Sequence, residues 1–371
     1  TAAGGGSYGL LARGVSSQDA IGTPERSTWL VPVFRPGRSR VNVGVVEVAG
    51  SAVGLEVIVR DGVGAVKGTF PLDLEPFGSR QLNDVHDAVS VAPSAEDLLE
   101  VRVVSGPGRV VAWAAAVDNG SNDGLLVTGT RPRRDVFLPA TAHSPGRFGS
   151  FFRTDLKLAN PRSAPANVRV SYFPSKGTGI RQLVLTLGAW ETRVIEDVLA
   201  DLFEVGEEGA GALRLSVLGI APGIVVSSRS YTEEETRSYG LAIEALDDAQ
   251  AGPGERIALT FLASDPTTRT NLGFLETGDV ETDVRVTLLD AEGGRLATRV
   301  LRLDRLQAVQ WNDVFAEMSA SPKENASAIV EVLSGGSVIA HAIRVDNRTN
   351  DASFLPGLVL RASVPDLRSG R

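Results

Sequence analysis

The chain has no cysteine, one methionine and three histidines, and only 6% of its 371 residues are aromatic. Without cysteine there is no disulfide framework and no thiolate-ligated zinc or iron–sulfur site. No apolar run approaches the roughly 18 residues that span a bilayer. A net charge of −8 argues against nucleic acid as the main partner. Lysine is scarce as well: Lys67, Lys157, Lys176 and Lys323 stand among 37 basic residues. What is abundant is apolar residues, at 43%, with 40 glycines and 19 prolines set between short Val/Ile/Leu runs. That is too apolar for disorder and points to many short strands and turns. The length fits two to four domains at about 100–200 residues each. The opening Thr1-Ala2-Ala3-Gly4-Gly5-Gly6 has no initiator methionine and fits a mature form left after signal removal, which points to export.

One unit occurs three times. Arg40-Val41-Asn42-Val43-Gly44 returns as Arg153-Thr154-Asp155-Leu156-Lys157 and as Arg269-Thr270-Asn271-Leu272-Gly273. A second signature, Gln81-Leu82-Asn83-Asp84-Val85, returns as Val194-Ile195-Glu196-Asp197-Val198 and Gln310-Trp311-Asn312-Asp313-Val314. From the arginine to this aspartate is 44 residues in every copy. A third signature, Val117-Asp118-Asn119-Gly120-Ser121-Asn122-Asp123, matches Val345-Asp346-Asn347-Arg348-Thr349-Asn350-Asp351. In the middle copy it has drifted to Ser230-Tyr231-Thr232-Glu233-Glu234-Glu235-Thr236. Three signatures in one order at one spacing define a repeat.

Each unit of about 115 residues reads as β. Val168, Val170 and Tyr172 alternate with Arg169 and Ser171, one face packed and one wet. About seven strands per 100 residues is the size of an immunoglobulin-like sandwich. The predicted fold is therefore all-β, three tandem immunoglobulin-like β-sandwiches with an N-terminal extension strand. Residues 1–26 form the extension, 27–134 the first sandwich, 135–250 the second, and 251–371 the third with a C-terminal tail. A short helix follows each Asn/Asp signature, where the acidic side chain can accept from first-turn amides. The linkers, 130–134 and 249–255, are short enough to predict a semi-rigid rod.

The N-terminal segment repeats a strand found elsewhere. Ser7-Tyr8-Gly9-Leu10-Leu11 resembles Ser238-Tyr239-Gly240-Leu241-Ala242, the last strand of the second unit. Read plainly it is a Gly-rich tail. Read sharply, Ser7, Tyr8, Gly9, Leu10, Leu11 and Val15 form a donor strand, Ser7–Val15, that adds to a sheet edge in a neighbouring molecule.

Signs of chemistry are few. His86, His143 and His341 stand in different units and join no nucleophile signature, so no catalytic residue is assigned and no enzyme is expected. No cofactor motif is present. The oxygen-rich loops make Asp118, Asn122, Asp123, Asp346, Asn350 and Asp351 candidate calcium ligands. The same residues close turns on their own backbone, the reading preferred here. Arg40, Arg153 and Arg269 with Asp84, Asp197 and Asp313 recur in every copy and are assigned to the scaffold, as a repeated ion pair or cap. Four scattered tryptophans are assigned to cores rather than to a sugar platform.

The stretches VDNRTNDASFLPG (Val345–Gly357) and VFLPATAHSPGRFGSFFRTDLKLANP (Val136–Pro161) resemble the immunoglobulin-like repeats of uncharacterised secreted bacterial proteins. That resemblance implies export and a β-sandwich, and carries no catalytic residues. The expected function is a structural subunit of a surface fibre or layer, outside the cell, that associates head-to-tail with copies of itself. An adhesin or carbohydrate-binding surface protein is the alternative, with glycans or other surface components as partners. Nucleic acid and a membrane span are not expected.

Overall fold

Alternation fixes the architecture locally. Val41, Val43 and Val45 on one strand are each at most 1% exposed. Arg40, Asn42 and Val46 between them stay partly accessible. The computed structural model describes residues 12–361, apart from Arg13, Pro24, Arg147, Phe148, Gly177, Thr178, Ala221, Glu235, Thr236 and Asp248.

The first sandwich runs β1 (Ser27–Leu30), β2 (Ser39–Glu47), β3 (Val53–Arg60), β4 (Val66–Leu74), β5 (Ser79–Leu82), α1 (Val85–Ala88), β6 (Leu98–Ser105), β7 (Val110–Asp118) and β8 (Gly124–Thr128). Its two antiparallel sheets, ordered β1-β6-β3-β4 and β5-β2-β7-β8, close on one valine-rich core. The second comprises β9 (Asp135–Pro145), β10 (Phe151–Ala159), β11 (Ala166–Pro174), β12 (Arg181–Leu187), β13 (Thr192–Ile195), α2 (Val198–Phe203), β14 (Gly209–Val217), β15 (Val225–Glu234) and β16 (Arg237–Glu244). Here the two layers are joined through β9, which pairs with β14 up to His143 and then with β10 to Pro145. A bulge between Gly211 and Leu213 lies along this pairing, of the kind that bends a strand. The third holds β17 (Arg256–Leu262), β18 (Thr268–Glu276), β19 (Thr282–Leu289), β20 (Arg295–Leu303), β21 (Ala308–Trp311), α3 (Val314–Glu317), β22 (Ala326–Ser334), β23 (Val338–Asp346), β24 (Ala352–Pro356) and β25 (Leu358–Leu360). Its sheets are β20-β19-β22-β17-β25 and β21-β18-β23-β24. The fold is all-β, three tandem immunoglobulin-like sandwiches. Contacts divide the chain into two compact units, the first comprising the residues up to Asp247 together with Thr349–Ser353, and the second Asp248–Arg348 with the residues from Phe354 on.

The repeat signatures are joined by a clasp. The backbone N–H of Asp84 donates to Asn42 Oδ1 at 3.0 Å, that of Asp197 to Asp155 Oδ1 at 2.9 Å, and that of Asp313 to Asn271 Oδ1 at 3.0 Å. All three aspartates have positive φ, between 44° and 55°, so each marks the sharp turn from a short strand into its helix. The middle residue of the first signature holds that turn in place. The expected ion pair and cap each occur in a single copy and not in all three. Arg40 and Arg269 instead donate to Asn119 and Asn347 of the third signature, both at 2.6 Å. Only Arg153 approaches its aspartate, Asp197, at 3.6 Å, and only Asp84 caps its helix, accepting from the N–H of His86. Replacing Asn271 by Ala leaves the part-buried Asp313 N–H without its acceptor, and is expected to lower the stability of the third sandwich by about 1–2 kcal/mol. Asn271→Asp keeps the acceptor that the middle copy uses and should lose less. Urea unfolding of the two variants checks this.

Of the expected donor strand, Ser7, Tyr8, Gly9, Leu10 and Leu11 lie outside the described residues. Val15 is described and is not in a strand. Beyond it a short 3-10 turn spans Ser17–Asp19, and Ile21 forms an antiparallel bridge to Val110. Ala20 and Ile21 are fully buried, so the chain enters the first sandwich before Ser27. The linkers are drawn into the sheets too: Thr130 bridges Trp29, Arg133 bridges Ile224, and Ala251 bridges Val338.

Candidate functional site

The densest collection of buried polar groups lies where the first sandwich meets the second. The β1 strand stops at Leu30, and the carbonyls of Val31 and Pro32 beyond it face the second sandwich. Lys157 Nζ donates to Pro32 O at 3.1 Å and to Asp97 O at 2.7 Å, and Ser227 Oγ donates to Val31 O. Lys157 is fully buried, and burial pulls its pKa down to about 7 against the pull of Asp97 and Glu96. Trp190 packs on Trp29 with ring centroids 6.5 Å apart, and a Cβ on Gly64 would strike its side chain at 2.3 Å.

A second cluster gathers around Tyr231. The Arg35 guanidinium donates to the Tyr231 hydroxyl at 2.6 Å and pairs with Glu233 at 2.7 Å. The hydroxyl in turn donates to Asp155 Oδ1 at 3.3 Å. Both Arg35 and Arg229 lie about 5 Å from the ring centroid, at 5.0 and 4.9 Å, a cation–π arrangement from each sandwich.

The third cluster is the loop between β7 and β8. Asp118 Oδ1 accepts from the N–H groups of Gly120 and Ser121, and Oδ2 from Ser238 Oγ at 2.9 Å. Ser121 Oγ donates to Ser238 O at 3.0 Å, and Gly240 N–H donates to Asp123 Oδ2 at 3.0 Å. Burial opposes the charge on Asp118, but the Ser121 and Ser238 donors hold its pKa below the usual carboxylate value. Asp123 has fewer donors, and burial pushes its pKa up to about 6 despite Gly240 and Arg229. Arg229, almost wholly buried, donates to Ser238 Oγ at 2.7 Å.

Asp118 and Asp123 belong to this interface, their oxygens turned to amide and hydroxyl donors, while Asn122 is exposed with φ of 59°. Asp346, Asn350 and Asp351 form the matching turn in the third sandwich, with Arg348 N–H donating to Asp346 and Asp351 N–H to Thr349 Oγ1. Among the described residues no group of three or more His, Cys, Asp or Glu could hold a metal ion. The histidines do not converge. His86 meets Asp97 at 3.1 Å, and His143 lies between Asp197 and Gly206 O. His341 is buried against Gly273, and burial lowers its pKa to about 4.

Lys157, Ser227 and Arg229 were not singled out from sequence, although one signal was present. Where the outer copies have Gly44 and Gly273 at the end of the first signature, the middle copy has Lys157. Gly44 pairs with Trp113 and Gly273 with His341, whereas Lys157 pairs with Ser227. A glycine under a ring has become a cation that reaches into the neighbouring sandwich. The drifted third signature has the same cause. Ser230–Glu234 is not a loop in the middle copy but the end of β15, pairing with β16 and presenting Tyr231 and Glu233 to Arg35.

Beside these contacts lies a groove of about 700 Å³ in the first unit, lined by Trp29, Trp190, Arg26, Arg102, Arg131 and Arg162 among others. No family model and no curated protein matches the chain. Among solved structures, the tetra-tandem repeat in the extending region of a large adhesion protein aligns over 91% of this chain and 75% of its own. The identity is 14% and the TM-score 0.13.

Proposed function

We propose that this is a non-enzymatic, extracellular structural protein, a self-associating subunit of a surface fibre or layer that adds the N-terminal segment of one copy to the next. The observation that carries the reading is the use made of buried polar residues. Lys157, Asp118 and Asp123 bond directly across to the neighbouring sandwich, and Arg229 holds the Ser238 hydroxyl that Asp118 accepts from. Such contacts fix register between tandem modules, which a load-bearing array needs. No helix of the described residues is long and apolar enough to cross a membrane. Removing residues 1–15, which leaves Ile21 and the first core in place, is expected to abolish assembly of the purified protein in sedimentation and electron microscopy. A truncated protein that assembles as well as the full chain overturns strand addition.

A glycan-binding surface protein is the second reading, favoured by the groove that places Arg26, Arg102, Arg131 and Arg162 beside two tryptophans. Retention on an immobilised acidic polysaccharide, lost in Arg102→Ala/Arg162→Ala, would favour it over assembly.

A further inference from the structure

The groove beside Trp29 and Trp190 carries a positive charge that the chain as a whole does not. Of its lining residues five are arginines and two are carboxylates, Glu25 and Glu100, in a chain of net charge −8. Each carboxylate is shared between arginines. Glu100, buried, accepts from Arg60 at 2.8 Å and from Arg102 at 3.0 Å, and from Ser27 Oγ as well. Glu25 lies 3.5 Å from Arg109 and 3.8 Å from Arg131. Arg133 is engaged by Asp247 at 2.6 Å. Arg26 and Arg162 remain. Both are exposed, and neither side chain has a hydrogen-bond or ion-pair partner among the described residues.

These two guanidiniums come from different sandwiches, each on a backbone that is tied down. Arg26 N–H donates to Gly22 O at 2.9 Å, and Arg26 O accepts from Val103 N–H at 2.7 Å. Arg162 N–H donates to Asn160 O and its carbonyl accepts from Trp190 N–H, both at 2.8 Å. Trp190 in turn packs on Trp29 and closely over Gly64 of the first sandwich. Arg26 and Trp190 have φ of 64° and 60°, a left-handed conformation that glycine takes more easily. Such residues persist where their surroundings hold them, so the groove is in place before a ligand arrives.

Charge and shape together select the ligand. A guanidinium fork takes a carboxylate or sulfate group by two parallel hydrogen bonds. The partly exposed indole of Trp190 adds an apolar wall, and about 700 Å³ is room for an oligosaccharide rather than a single sugar. A nucleic acid would instead need many phosphate contacts, on a surface that is acidic outside the groove. We infer that the groove is a site for an acidic oligosaccharide, with Arg26 of the first sandwich and Arg162 of the second as the pair that takes its anionic groups. The inference rests on the glycan-binding reading above, and adds that the ligand is charged and touches both sandwiches at once.

The test uses the full chain and an oligogalacturonate, with its methyl ester as the same sugar without charge. Calorimetric titration at low salt is expected to show binding of the acid and not of the ester. Arg26→Gln and Arg162→Gln are each expected to weaken that binding about tenfold, and together about a hundredfold. Arg80→Gln/Arg169→Gln removes two exposed charges elsewhere in the first unit and should leave it unchanged. A loss in only one of the single variants overturns the bridging pair, and an ester that binds as tightly as the acid overturns the anionic ligand. Undiminished binding of the acid in Arg26→Gln/Arg162→Gln overturns the site and leaves the glycan-binding reading standing. Binding of neither sugar overturns both. A single-stranded oligonucleotide that binds more tightly than the acid, with the same loss in the double variant, overturns the sugar as occupant.

Discussion

Arg229→Met is expected to destabilise the first unit by about 3 kcal/mol at neutral pH. Arg229 is 3% exposed, and its guanidinium is a cation that favours the charged form of Asp123 in the interface between the first two sandwiches. Removing one partner from a buried set of charges leaves the other uncompensated, at a cost of roughly 3–5 kcal/mol. The lower end is expected because Asp123 has an escape. Its pKa already stands at about 6, raised by burial, and without Arg229 it can take up a proton. The sign follows from that escape. Between an unfolded value of 3.8 and a folded value near 6, the folded state binds more protons than the unfolded one, so acid favours the fold at this residue. The difference between Arg229→Met and the parent should therefore shrink between pH 7.5 and pH 5. Arg38→Met supplies the contrast: Arg38 pairs with Glu233 at 3.3 Å with a third of its side chain exposed, and a pair of that kind contributes at most about 1 kcal/mol. Urea unfolding followed by the fluorescence of Trp29 and Trp190, which pack together at the interface, reads both variants. Equal losses for the two arginines would show that burial of Arg229 carries no special weight.

Three-fold recurrence made the architecture legible, because period-two alternation and a constant spacing survive wherever a core must be buried. Trp311 is 6% exposed and packs on Phe274 as a core residue. Trp29 is as well buried, but against Trp190 of the next sandwich. The short strands β5, β13 and β21, four residues each, carry too little alternation to be read from sequence. They exist because the first signature holds the turn that follows them, through Asn42, Asp155 and Asn271. A long-range bond of that kind leaves no local trace in the chain.

The interface was legible only as damage to the repeat. Comparing copies shows what a scaffold requires, so residues that depart from the pattern tend to serve something outside the sandwich. Gly44 and Gly273 against Lys157 is such a departure, and so is Asn42 and Asn271 against Asp155. The aspartate keeps the clasp on Asp197 N–H while placing a carboxylate 3.8 Å from Arg35. Burial raises the pKa of Asp155, so the substitution costs the middle sandwich something that only its neighbour can offset. The same logic separates Glu47 and Glu276 from the charges at the interface. Each is buried at the same place in its repeat and accepts backbone N–H groups, Glu47 from Ala49, Gly50, Phe77 and Arg109, and Glu276 from Gly278 and Leu306. Those two are internal to a sandwich and recur, whereas Lys157 and Arg229 face outwards and do not.

Lys157 should make the stability of the first unit rise with pH in a range where most proteins change little. Among the described residues its ammonium has no carboxylate oxygen as a hydrogen-bond partner, only the carbonyls of Pro32 and Asp97. The Asp97 carboxylate is engaged elsewhere, accepting from Lys67 at 2.8 Å, from Ser94 N–H at 2.8 Å and meeting His86 at 3.1 Å. Complete burial therefore dominates, and the folded pKa falls from 10.5 to about 7. Below pH 7 the folded state carries a buried charge at full cost. Between pH 7 and 10.5 the unfolded chain still holds the proton and the folded one does not, so each rise in pH removes part of that cost. The slope approaches about 1.4 kcal/mol per pH unit, and the gain across the window is about 3–5 kcal/mol. Lys157→Met, close in length and without charge, should abolish this dependence, so the difference between parent and variant isolates it from every other titrating group. Stability curves in urea at pH 6.5, 8 and 9.5 supply the measurement. A difference that stays constant over that range would mean that Lys157 remains protonated in the folded protein, with its charge satisfied by the two carbonyls and the nearby Asp97.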